Sequence, residues 1–152
     1  MKSLCCSSIK RQISFQTPPD LDPFGVRRHQ TGMMIFKIFR LEEWETLQKK
    51  GVTAGAPIDV ADGYIHFSTA EQTAETAAKH FAGIDTLFLI AVDATTLGTA
   101  LKWEVSRGGA LFPHLYRKMT LEDVAWHAAM PLRDGAHILP DRMKESSNDL
   151  LR

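Results

Sequence analysis

Three short segments of the chain carry side chains able to do chemistry. His66 lies in "DGYIHFSTAEQ" (62–72), Glu104 and Arg107 in "LKWEVSRGG" (101–109), and His114 and Tyr116 in "LFPHLY" (111–116). On an extended backbone alternate residues share a face, so Tyr64, His66 and Ser68 oppose Ile65 and Phe67. In the second segment Lys102, Glu104 and Ser106 oppose Leu101, Trp103 and Val105. An imidazole can hydrogen-bond a hydroxyl or carry a proton near neutral pH. A carboxylate can stabilise positive charge developing on a sugar, and a guanidinium can hold phosphate oxygens. If the segments converge on one hollow, His66, Glu104 and His114 form a catalytic set, and Ser68, Arg107 and Tyr116 bind the ligand.

Each of these residues also has a simpler explanation. Ser68 is followed three residues later by Glu71 and reads as a helix N-cap. His66 reads as a satisfied core histidine, and Glu104 as the wet face of a half-solvated strand. Gly108 and Gly109 suit a tight turn. Lys37, in the first strand, reads as an edge charge. A metal site of two histidines and a glutamate is disfavoured by their spread along the chain, so no metal is expected.

The elements that must position these groups begin at Met34. "MIFKIF" suits a strand, and Leu41, Trp44 and Leu47 form one stripe of a helix stopped at Gly51. "VTAGAPIDVADG" reads as a loop with a short extended piece at 58–60, and the next strand spans 64–67. A second helix then places Ala70, Ala74, Ala77, Ala78 and Phe81 on one face, and Gly83 closes it. "TLFLIAV" is apolar throughout, as befits a central strand covered on both faces. "LKWEVS", a short strand beginning at Pro113, a helical turn at 121–123 and a last strand "VAWHAAM" follow. Two main helices beside five or six strands with short late connections predict a single α+β domain.

The chain has 152 residues, 44% hydrophobic and 24% charged, with zero formal net charge. One domain fits that length. The charge balance gives no reason to expect bulk nucleic-acid or membrane binding, while leaving room for a local anion pocket. Cys5 and Cys6 are adjacent near the start and cannot staple a core, which fits a reducing cytoplasm. No apolar run approaches the roughly 18 residues of a membrane span. Residues 1–33 lack periodicity and read as a disordered extension upstream of a domain at 34–140, with 141–152 as a polar tail.

Taken together, "DGYIHFSTAEQ", "LKWEVSRGGALFPHLY" and "VAWHAAMPL" resemble a small bacterial family catalogued as domain of unknown function 952, over roughly residues 34–140. The resemblance implies, more remotely, a fold similar to ADP-ribosyltransferases and RNA 2′-phosphotransferases, a split antiparallel sheet around NAD. On that resemblance His66 and Ser68 face the NAD cleft, Glu104 or His114 faces the reacting ribose, and Tyr116 stacks. Lys37 stands where a matching first-strand histidine would be, a departure from the transferase pattern. No G-x-G-x-x-G follows a strand, so a Rossmann site is not expected. Two readings stay open: a transferase using NAD, and a non-catalytic module binding a nucleotide-like small molecule.

Overall fold

The computed structural model describes residues 32–106 and 108–147, all within one compact unit. The expected extension at 1–33 falls almost entirely outside the described residues, as does Arg107. The description begins at β1 (Met34–Arg40), followed by α1 (Leu41–Lys50), β2 (Val52–Thr53), α2 (Pro57–Asp62), β3 (Ile65–His66) and α3 (Ala70–His80). Then come β4 (Leu87–Asp93), a 3-10 segment at Ala94–Ala100, β5 (Leu101–Val105), β6 (Leu111–Leu115) and β7 (Met119–Thr120). A 3-10 turn at Leu121–Asp123 leads into β8 (Val124–Met130), and β9 (Leu132–Arg133), β10 (Ala136–His137) and α4 (Arg142–Ser147) complete the order.

This is a small α+β fold with antiparallel sheets. One three-stranded sheet runs β1-β4-β8 and another β3-β6-β5, with β2-β7 and β9-β10 as two-stranded ribbons. The two larger sheets are tied where Phe36 and Ser68 exchange both backbone hydrogen bonds at 2.8 Å. β4 is central to its sheet, and Leu89, Ile90, Ala91 and Val92 are fully buried, as its apolar run requires.

Alternation along β1 divides the interior. Ile35 and Phe39 join Leu47, Ile65, Phe67, Ile90 and Leu115 in one core. Phe36 and Ile38 turn to the opposite face and meet Ala77, Trp126, Met130 and Met143. Because Leu115 and Ile65 enter the first core, their neighbours His114 and His66 project from the other face of β3-β6-β5.

Several local expectations change. Residues 57–62 form a helix instead of an extended piece, because Pro57 opens it and Gly63 ends it at φ 83°. The cap of α3 is Thr69, paired with Gln72, because the bridge to Phe36 holds Ser68 in the sheet. Thr73 and Ala77 are the buried residues of that helix, while Ala74 and Ala78 are exposed. Pro113 lies inside β6 rather than at its start, opposite Trp103. β8 is followed by the β9-β10 hairpin and so is not the last strand.

The polar tail also differs from expectation. Residues 142–147 are helical, with Met143 4% exposed against the second core and the Arg142 guanidinium 5.4 Å from the Trp126 ring centre. Among the described residues no helix is long and apolar enough to cross a membrane. Met143→Ala is expected to cost about 2–5 kcal/mol in urea denaturation, the range for emptying a buried methionine site. A polar tail would show almost no change.

Candidate functional site

The antiparallel register brings the sequence candidates together. His66 opposes His114 across β3 and β6, and Lys102 opposes His114 across β6 and β5. One row of the sheet therefore carries His66, His114 and Lys102, with Glu104 two residues along on the same face. The imidazole centres of His66 and His114 stand 5.1 Å apart, edge to face. Tyr64 covers both, stacked 4.4 Å from His114 and tilted 4.8 Å from His66, and meets Tyr116 at 5.1 Å.

Each imidazole is oriented by a carboxylate. His114 Nδ1 lies 2.7 Å from Glu104 Oε2, which also accepts the Tyr116 hydroxyl at 2.8 Å. These hydrogen bonds, His114 first and Tyr116 second, hold the Glu104 carboxyl below the ordinary glutamate range. The same contact raises the Tyr116 phenol, with burial as the next cause. Glu104 Oε1 has no partner among the described residues, and the side chain is 38% exposed, so one carboxylate oxygen faces outward. The Lys102 ammonium sits 4.5 Å over the Tyr116 ring.

His66 is held from behind. Its Nδ1 lies 2.7 Å from Asp59 Oδ1, and its Nε2 lies 3.2 Å from Asp62 Oδ2. Asp59 is the third residue of α2 and is 1% exposed. It accepts the N–H groups of Ala56 at 2.6 Å and His66 at 2.9 Å, and Lys37 Nζ at 2.6 Å. Burial alone would push the Asp59 carboxyl up. The hydrogen bond from His66 and the Lys37 charge outweigh it, and the net shift is below the ordinary aspartate range. Burial draws the Lys37 ammonium down, with Asp59 pulling the other way.

Lys37 is thus no edge charge. It shares the inner face of β1 with Ile35 and Phe39 and is 6% exposed. Ser68 is turned away from the row of imidazoles. Its hydroxyl lies 3.1 Å from Thr76 of α3, and the residue is 5% exposed. Arg107 is outside the described residues. Asp59, Asp62 and Tyr64 complete the site without having been singled out as candidates. Asp62 and Asp59 precede His66 by four and seven residues, behind a Pro57 start and a Gly63 stop, and that spacing was the available signal. Among the described residues no three His, Cys, Asp or Glu side chains converge as a metal-ligand set.

Removing the Lys37 charge should leave Asp59 buried without its cation. Lys37→Met is expected to lose about 3–5 kcal/mol at pH 7 in chemical denaturation. Asp59→Asn tests the same contact by pH. A depressed carboxyl contributes stability above its unfolded value of about 3.9, and that stability fades as pH falls through the folded value. The melting-temperature gap between wild type and Asp59→Asn should hold at neutral pH and narrow below about pH 4. A gap constant down to pH 2 would refute the ionised, donor-saturated Asp59.

Residues 38–127 match the family described as "Protein of unknown function (DUF952)". Among solved structures, the chain is similar to the crystal structure of protein CC0527 from Caulobacter crescentus, at 46% identity and a TM-score of 0.70. That likeness covers 73% of this chain and 98% of the other. The solution NMR structure of CC0527 gives a TM-score of 0.63 at 46% identity, over 69% of this chain and 90% of that one. No curated protein matches. With more than half its length inside the match, the chain belongs to the DUF952 family.

Proposed function

We propose that this chain is an NAD-utilising transferase of ADP-ribosyl type, working over the face formed by His66, Glu104 and His114. The observation that carries the reading is Glu104: an ionised carboxylate fixed by His114 and Tyr116, with one oxygen facing outward beside two imidazoles. When the bond between ribose and nicotinamide breaks, its electrons leave with the nicotinamide and positive charge develops on the sugar. A carboxylate already held in place stabilises that charge without reorganising. His114 and Tyr116 spend hydrogen bonds on orienting Glu104, Tyr64 and Tyr116 offer ring faces to flat heterocycles, and His66 faces the ribose hydroxyls.

The test is nicotinamide release from NAD by the full chain, with Glu104→Gln as the matched variant. Loss of the carboxylate should lower kcat by about 10²–10³-fold, the usual effect of deleting one preorganised electrostatic group. Tyr116→Phe leaves one of the two donors to Glu104 and should cost less. The acid limb that Glu104 imposes on kcat/KM should lie below about pH 4.3, because its neighbours depress it. No release above background with water or nucleophilic acceptors would defeat the transfer reaction.

One observation favours the second reading, a module that binds a nucleotide-like molecule without turning it over. His66 Nδ1 is taken by Asp59 at 2.7 Å, and an Asp62 carboxylate oxygen stands 3.2 Å from the half-exposed Nε2, which crowds the one ring nitrogen left for proton transfer. Under that reading NAD or ADP-ribose raises the melting temperature while nicotinamide release stays absent.

A further inference from the structure

The ring cluster has a second side. Tyr64 and Tyr116 also wall a hollow of about 220 Å³, bounded by Val60 and Gly63 on one flank and by Arg117 and Lys118 on the other. Small-molecule sites ordinarily enclose about 300–1,000 Å³, so this hollow suits one end of a ligand rather than a whole one.

Its charge is unbalanced. Asp59 reaches the wall, but Lys37 answers it. The Arg117 guanidinium is clamped by Asp123, with both nitrogens at 2.8 Å from the carboxylate oxygens. Lys118 is exposed, and its ammonium has no acceptor among the described residues. One uncompensated positive charge therefore borders the hollow.

The backbone points the same way. Gly63 N–H donates to Asp59 and Tyr116 N–H to Ala100, at 2.9 and 2.8 Å. The N–H groups of Tyr64, Arg117 and Lys118 lie outside the ladders and meet no acceptor among the described residues. Spare backbone N–H groups beside an unpaired ammonium make a setting for an anion.

We propose that this hollow is an anion subsite for the phosphate-bearing end of a nucleotide-like ligand, with Lys118 as its charge partner. The sugar would lie past Tyr64 and Tyr116, over His66, His114 and Glu104; that placement rests on the functional reading above, whereas the anion site itself does not. Neither imidazole lines the hollow, so a phosphate there contributes affinity rather than chemistry.

The experiment is an amide chemical-shift titration of the 15N-labelled full chain with AMP and, in parallel, with adenosine. AMP should move the Tyr64, Arg117 and Lys118 amides, and adenosine should leave Arg117 and Lys118 in place. Lys118→Met should weaken AMP about tenfold, the effect of losing one charge-assisted contact. Identical responses to AMP and adenosine, AMP shifts that spare all three amides, or an unchanged AMP affinity in Lys118→Met would each overturn the subsite. Nicotinamide release by the same preparation separates the two claims. Release without AMP shifts at these amides removes the subsite and keeps the transferase. The expected shifts without release keep the subsite and remove the transferase.

Discussion

A single buried carboxylate joins the interior of this protein to the face that carries its paired imidazoles. Asp59 is almost fully enclosed and takes hydrogen bonds from β1 through Lys37, from the α2 entry through Ala56, and from β3 through the His66 backbone N–H and ring Nδ1. An ionised group in that position is tolerated only while its donors are present. The position of β1, the winding of α2 and the rotamer of His66 are therefore parts of one condition. Gly55 belongs to it too: a Cβ there would stand 2.3 Å from Asp59 Oδ2, at a φ of 95° that side chains rarely adopt.

The other imidazole is arranged in the opposite sense. His114 is the buried partner, 8% exposed at its side chain, and the Glu104 that fixes it is the half-exposed one, at 38%. At His66 the carboxylate is inside and the ring is 34% exposed. A molecule settling on this face would meet the ring of His66 and the Glu104 oxygen that has no partner among the described residues. Water screens the Glu104 pair far more than the Asp59 pair, so the first tunes the surface and the second supports the fold.

Much of the framework was legible from residue pattern, and the parts that were not share a cause. The apolar run 86–92 could only be a covered strand, and the alternation in "LKWEVS" and around His114 placed the polar groups on one face. Helix α2 escaped notice because six residues are too short for a period to emerge. Its apolar members Ile58 and Val60 are 59% and 62% exposed, so they imitate a strand without entering the core. Lys37 was misplaced because the residue that makes its burial tolerable lies 22 positions away. Neighbouring hydroxyls at 68 and 69 are equal as caps by sequence. The Phe36 bridge decides between them, and a contact between distant strands is invisible to local pattern.

Loss of Ser68 from the polar row changes the chemistry open to the face. With its hydroxyl turned to Thr76, Ser68 is not a nucleophile beside His66, and among the described residues no hydroxyl is hydrogen-bonded to that imidazole. What remains is two carboxylate-held imidazoles, two phenol rings and a cation over one of them. Such a set offers hydrogen bonds and ring faces more readily than it offers a nucleophile. The transfer reading proposed above is consistent with that preference, because there the bond-making atom comes with the second substrate. The fold alone would carry no such preference, since one architecture serves many reactions. The preference comes from which side chain the Phe36–Ser68 bridge withdraws from the face and which it leaves.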